Sequence, residues 1–205
     1  MNENNIQISK ILLMTAMVAL CLASQTIAQS SKSILKQAEK ELGGTKALQS
    51  IRSVTKNGRI TRIEDGVTGK YLYQSSQPNL FNRSFDLDGF EIESGFNGRS
   101  GWARNSRDGL QTLTGGASIE MQAVAGFRNS LWMNAKNEKS RIVSGSQTTV
   151  NGKTANTVVM ITPKGVNIKM FFDAATGLPI RDEISLGDSS EICDYADYRD
   201  VAGTK

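Results

Sequence analysis

The sequence predicts an α+β fold in which helices cover one face of a large, curved antiparallel sheet. Three observations indicate it. A helical segment is followed by many short strand-like segments, then by a second helical segment and more strands. Asn-Gly and Asp-Gly pairs recur between the strand-like segments, as they do in hairpin turns. An apolar stripe within residues 117–136 supplies the second helical segment with a face to bury.

Two short helices are predicted at the start of the domain. The apolar side chains of residues 32–42 recur at helical intervals: Ile34, Leu35, Ala38 and Leu42. Gly43-Gly44 ends this helix. A second helix, "TKALQSI", follows from Thr45, a residue type that caps helices.

From Val54 onward the pattern predicts an antiparallel meander. Turns are expected at the residue pairs 57–58, 65–66, 68–69, 88–89, 97–98 and 108–109, and later at 151–152, 164–165 and 176–177. In "VNIKMFF", one face carries Val166, Ile168, Met170 and Phe172, and the other carries Asn167 and Lys169. One side of the sheet is therefore expected to be dry and the other wet.

The later helical segment, residues 117–136, carries an apolar stripe. Its members recur every four residues, with two more beside them: Ile119, Ala123, Phe127 and Leu131, then Val124 and Trp132. This spacing predicts one helix, or a pair of helices with Gly126 as the break.

The N-terminus predicts export from the cytoplasm. Lys10 precedes the short apolar run 11–23, and small residues lead to an expected cleavage point after Ala28. We therefore expect residues 1–28 to be a signal peptide and residues 29–205 to form the mature, periplasmic domain. The alternatives are a lipid anchor on Cys21, which ends the stretch "MVALC", and an uncleaved anchor.

The composition argues against catalysis. The chain has no histidine, which removes the usual general base and the commonest metal ligand. Glu91 and Glu93 share a strand face and are interpreted as outer polar residues, and Cys193 as a small strand residue. A net charge of +4 without a basic stripe gives little support for nucleic-acid binding. We expect no enzyme activity, no cofactor and no metal site.

What remains is apolar surface on the predicted dry face and on the helical stripe. The candidate residues for binding a hydrophobic ligand are Phe81, Phe85, Phe90, Ile92, Trp102, Val124, Phe127, Leu131, Ile168 and Met170. They could form a packed core between sheet and helix. They could also line a cavity for an acyl chain, with the helix as its lid. Ile92 and Trp102, on either side of the Asn97-Gly98 turn, are expected on the inner wall.

Several stretches resemble periplasmic lipoprotein carriers of the LolA type. "YQSSQPNLFNRSFD" (73–86) is similar to a strand of that family, and "GFNGRSGWA" (95–103) to its Asp-Gly-Lys-x-x-Trp turn. "VNGKTANTVVMITPKG" and "MFFDAATGLPIRDE" resemble later hairpins. The match spans roughly residues 33–201, and residues 117–136 fall where the family has lid helices.

The resemblance implies an incomplete, half-open antiparallel β-barrel with helices covering its concave face. It further implies a non-enzymatic periplasmic carrier whose hydrophobic cavity holds lipid or lipoprotein acyl chains in outer-membrane lipoprotein sorting. Envelope or membrane-anchored proteins would be its further partners. The alternative is an envelope scaffold or interaction domain with a filled core and no ligand.

The sequence departs from the family pattern in two places. The carriers have an arginine before the proline of the first motif, where this chain has Gln77 before Pro78. An amide cannot replace the charge or the forked donors of a guanidinium, so lid control is expected to differ. The chain also ends at "YRDVAGTK", where the family usually runs on through another strand, so we expect either a truncated product or a domain that lacks an edge strand.

Overall fold

A computed structural model describes residues 29–62, 64–129, 132, 139–201 and 203–205. The predicted signal peptide and Cys21 lie outside these residues and stay predictions. The described helices are α1 (Ser31–Glu41), α2 (Thr45–Ser50) and α3 (Gly115–Arg128). None of them is both long enough and apolar enough to cross a bilayer.

The first sheet is a six-stranded antiparallel meander in chain order. Its strands are β1 (Ser53–Thr61), β2 (Thr68–Ser76), β3 (Leu80–Leu87), β4 (Phe90–Asn97), β5 (Gly101–Asn105) and β6 (Gly109–Thr112). The turn after β4 is closed by Asn97, whose Oδ1 accepts hydrogen bonds from the backbone N–H groups of Arg99 and Ser100 at 3.0 and 2.9 Å. The Asn side chain thus makes the hairpin that its sequence predicts.

Two of the predicted turns are wrong. Asn57-Gly58 lies inside β1, where Gly58 pairs with Tyr71, and Thr68-Gly69 begins β2. A glycine permits a turn but does not impose one, and at both pairs the hydrogen bonding between β1 and β2 determines an extended conformation. The β1–β2 turn forms at the predicted pair 65–66, where the Asp65 carboxylate accepts hydrogen bonds from the Arg62 side chain at 2.6 and 2.9 Å.

The second sheet is also six-stranded and antiparallel, in the order β12-β11-β10-β9-β7, with β8 pairing on β9. Its strands are β7 (Arg141–Ser144), β8 (Thr148–Val150), β9 (Lys153–Ile161), β10 (Asn167–Asp173), β11 (Pro179–Leu186) and β12 (Ser189–Asp194). Along β10, Ile168, Met170 and Phe172 are buried, whereas Asn167 and Lys169 are exposed. The predicted dry face is confirmed.

The helices cover the inner faces of both sheets. Helix α3 packs on β3, β4 and β5 of the first sheet and on β11 of the second, and α1 packs on β7 and β9. One apolar cluster joins them, with Ile34 of α1, Val124 of α3, Phe96 of the first sheet and Ile168 of the second. The described strands form two sheets that are not closed into a barrel. This confirms the predicted α+β class, a half-open antiparallel barrel with helices on its concave face.

Candidate functional site

Helix α3 is the element on which the candidate site is built, and its two ends are held unequally. At the N-terminal end, Thr114 occupies the cap position without a side-chain capping hydrogen bond. At the C-terminal end, the Asn129 amide donates to the carbonyl oxygens of Ala125 (2.8 Å) and Leu80 (2.9 Å). The helix end is thereby tied to the start of β3. Nearer its beginning, α3 is held by two exposed hydrogen bonds, in which Glu120 accepts from the Gly187 N–H and Gln122 from the Lys164 side chain, both at 2.8 Å.

A buried charged cluster reinforces the C-terminal end of α3. Arg128 makes a bidentate ion pair with Asp182, with nitrogen–oxygen distances of 2.7 and 3.0 Å. The same guanidinium donates to Glu191 Oε1 at 2.7 Å and to the Tyr195 hydroxyl at 3.0 Å. Glu191 also pairs with Arg83 of the first sheet. We call these five residues the Arg128 cluster, and it joins α3, both sheets and the C-terminal segment.

The Arg128 cluster is internally neutral. Two guanidinium groups face two carboxylates, and the Arg128 and Asp182 side chains are only 8% and 2% exposed. Burial by itself would raise the pKa of Glu191, but Arg83 and Arg128 outweigh it and hold that pKa below its ordinary value. Burial likewise opposes the charge of Arg128, yet the hydrogen bond with Asp182 and the nearby carboxylates raise its pKa. The charges of the Arg128 cluster are therefore paired within the cluster, and the cluster holds the C-terminal end of α3 in place.

A cleft of about 890 Å³ opens along another side of α3. Its walls are α2, the turn between β2 and β3, and the turn between β9 and β10. Its volume falls within the range of sites that hold small organic ligands.

The cleft has an apolar floor and a polar rim. Ile119, Ala123 and Gly126 of α3 form the floor, and Ala123 belongs to the buried core while Ile119 packs against it. Amides and hydroxyls surround the floor: Gln49, Gln77, Asn79, Gln122, Asn129, Thr45, Ser50, Ser140 and Thr162. The charged residues that line the cleft in the described structure are all basic: Lys46, Arg52 and Lys164.

Gln77, the residue at the family's arginine position, lines this cleft. Its amide donates to the Ile51 carbonyl oxygen at 2.7 Å, and its carbonyl oxygen accepts from Arg52 at 3.5 Å. Arg52, just before β1, therefore brings a guanidinium beside the amide. The position lacks its own positive charge, but the neighbouring chain segment supplies one.

The structure separates the predicted ligand-binding residues into groups. Five are buried together in the core: Phe81, Val124, Phe127, Ile168 and Met170. Phe85 and Ile92 are half-buried on the inner face of the first sheet, Phe90 is exposed at the sheet end, and Leu131 lies outside the described residues. None of the nine described residues lines the cleft.

The expected inner-wall position of Trp102 is wrong. Strand register pairs Gly95 with Trp102 and Ile92 with Asn105, which places Trp102 and Ile92 on opposite faces. Gly101 faces Met121 of α3, so its neighbour Trp102 points away from the helix and lies over Gly95. The four-residue turn 97–100, which pairs Phe96 with Gly101, sets this register, and alternation within one strand cannot reveal it.

Sequence reasoning missed the cleft itself. Its basic residues are isolated in the sequence and come from α2, from the segment before β1 and from the β9–β10 turn. No local pattern joins them. One available signal is the resemblance to LolA-type carriers, because Gln77 stands at the position of their arginine and lines the cleft.

No protein-family model matches this chain, and no curated protein matches it in sequence. Solved structures do match. A LolA superfamily protein from Nitrosomonas europaea shares 14% identity over 86% of this chain and 82% of that one, with a TM-score of 0.48. A domain described as an outer membrane lipoprotein-sorting protein domain, from Vibrio parahaemolyticus, shares 11% identity over 85% and 81%, with a TM-score of 0.51. The second similarity confirms the LolA-like fold that the sequence motifs predict.

Proposed function

We propose that this chain is a non-enzymatic periplasmic carrier that binds an acyl chain of a lipid or lipoprotein. The observation that carries the proposal is the continuity between the cleft and the core. Ala123 belongs to the apolar cluster and also forms part of the cleft floor. An outward movement of α3 would therefore extend the cleft into the apolar interior between the two sheets.

The unequal attachment of α3 supports such a movement. The Arg128 cluster and Asn129 hold its C-terminal end, whereas its beginning has no side-chain cap. A swing about the C-terminal end would expose apolar residues of α3 and of the sheets. An incoming acyl chain would cover them again, and each buried methylene contributes about 0.8 kcal/mol. Release would follow when the helix packs back.

The first test is the content of the purified mature protein. Mass spectrometry of extracted lipids should detect acyl chains, and a fluorescent fatty acid should bind with a saturable signal. Gln122 lines the cleft and is exposed, so Gln122→Trp fills the cleft without disturbing the core. We expect this variant to weaken binding. The matched control, Gln111→Trp, alters an exposed residue of β6 and should bind as the unmodified protein does. Equal loss in both variants would contradict a site in the cleft.

The filled core favours a second candidate, an envelope scaffold or interaction domain with no ligand. Phe81, Phe127 and Met170 pack within one continuous cluster. A scaffold should yield a mature protein free of lipid that gives no saturable signal with the fluorescent fatty acid. The two candidates are thus separated by the same measurement.

The predicted export of the protein and the alternative lipid anchor on Cys21 are inferred from the sequence alone, because residues 1–28 lie outside the described residues. The mass of the mature protein from the producing cell should correspond to a chain that begins after Ala28. A diacylglyceryl group on Cys21 would instead give a longer, lipid-modified chain and would replace the soluble carrier with an anchored one.

A further inference from the structure

We propose that the cleft holds the phosphate-bearing headgroup of the amphiphile. This inference rests on the proposed function, and it names the class of ligand: a lipid with an anionic phosphate headgroup. Its chain would lie toward the core and its phosphate among Lys46, Arg52 and Lys164.

The charged side chains of the cleft favour an anionic ligand. Among the described residues, no carboxylate lies within salt-bridge distance of Lys46, Arg52 or Lys164. Other exposed basic residues, such as Lys36 and Arg99, are also outside ion pairs in the described structure, but these three line one concave space together. Three cations around one concave space with no acidic side chain create a positive potential there. An anionic group is the complement that this potential favours.

Two neutral groups of the cleft favour a phosphate as that anion. Lys164 Nζ is held by Gln122 Oε1 at 2.8 Å, which keeps its positive charge over the α3 side of the cleft. The Ser140 hydroxyl also belongs to the lining, and its oxygen is shielded from solvent with no hydrogen-bond partner in the described structure. A phosphate offers several acceptor oxygens, and can therefore accept from lysine, arginine and hydroxyl donors together.

The floor distinguishes an amphiphile from a free phosphate ion. Ile119, Ala123 and Gly126 give the donors an apolar base that is continuous with the core. A small, fully hydrated anion would gain nothing from that surface, whereas a lipid would place its chain against it. The combination of cationic rim and apolar floor selects a ligand that has both parts.

Calorimetric titration with two soluble lipids of equal chain length tests the inference. Both carry one anionic phosphate, but in dioctanoyl phosphatidylcholine the choline cation cancels its charge and would be repelled by the three cations of the cleft, whereas dioctanoyl phosphatidylglycerol keeps a net negative charge. We expect phosphatidylglycerol to bind about tenfold more tightly, as a few partly exposed ion pairs would give. In the triple variant Lys46→Gln, Arg52→Gln, Lys164→Gln this preference should disappear, with phosphatidylcholine bound as before.

The matched control removes the same net charge from exposed positions outside the cleft: Lys36→Gln, Lys70→Gln and Arg99→Gln. It should keep the preference, which separates a local site from the overall charge. Equal binding of both lipids by the unmodified protein would overturn the headgroup site and leave the carrier standing. Binding of neither lipid would overturn both. Binding of inorganic phosphate alone would overturn the assignment to a lipid.

Discussion

Two regions beside helix α3 concentrate basic side chains, and they treat charge in opposite ways. The Arg128 cluster buries the guanidinium of Arg128, partly buries that of Arg83, and matches them with two carboxylates. The cleft presents Lys46, Arg52 and Lys164 without a carboxylate in its described lining. A buried charge must be paired within the protein because desolvation is costly, whereas a charge at an open cleft stays hydrated until a ligand pairs with it. The first region therefore holds the fold together, and the second is available for binding.

The largest expected effect comes from breaking the Arg128 cluster. Arg128→Met leaves Asp182 buried without its partner and should lower the free energy of unfolding by about 3–5 kcal/mol. Urea denaturation followed by circular dichroism measures this loss. The control Arg99→Met changes an exposed arginine and should alter stability by less than about 0.5 kcal/mol. Similar losses in both variants would remove the distinction between the two kinds of charge.

Replacing both Arg128 and Asp182 tests whether the two side chains act as a pair. In Arg128→Met combined with Asp182→Leu, no unpaired charge is left at the centre, and Glu191 keeps its ion pair with Arg83. We expect the double variant to be more stable than the sum of the single losses by about 1–3 kcal/mol. A double-mutant cycle in urea measures this coupling. Strict additivity would mean that the two side chains do not act as a pair.

Acid should weaken the Arg128 cluster through Glu191. The pKa of Glu191 is lower in the folded protein than its ordinary value of 4.5, so its stabilisation is fully present above that pH. The stabilisation is lost as the pH falls through the depressed folded value. Unfolding free energies measured from pH 7 downward should fall more steeply below about pH 4.5 in the unmodified protein than in Glu191→Gln. Parallel curves would assign the acid sensitivity to other carboxylates.

The smallest effect on stability is expected in the cleft. Each of Lys46→Gln, Arg52→Gln and Lys164→Gln should change the free energy of unfolding by less than about 0.5 kcal/mol, because none of these side chains has an ion-pair partner among the described residues. Thermal unfolding without lipid provides the measurement. A large loss in any of them would show that the cation supports the fold and is not reserved for a ligand.

The fold was largely predictable because its signals are local. Alternation along β10 predicted its dry face, and Gly43 and the Asn97-Gly98 turn marked real ends of a helix and a strand. Prediction failed where pairing between distant segments decides the outcome. Gly58 lies inside a strand, and Trp102 points away from α3, because strand register depends on partners that a local pattern does not contain.

The sequence by itself determined the fold class and the dry face of strand β10, because apolar periodicity and turn chemistry act over a few residues. Only the tertiary structure decided which apolar residues fill the core and which border the cleft. It also decided that Arg128 meets Asp182, 54 residues away, while Lys46, Arg52 and Lys164 converge without a carboxylate among the described lining. Electrostatic pairing acts through space over a few ångströms, so the fold alone settles which charges are neutralised and which are left for a ligand.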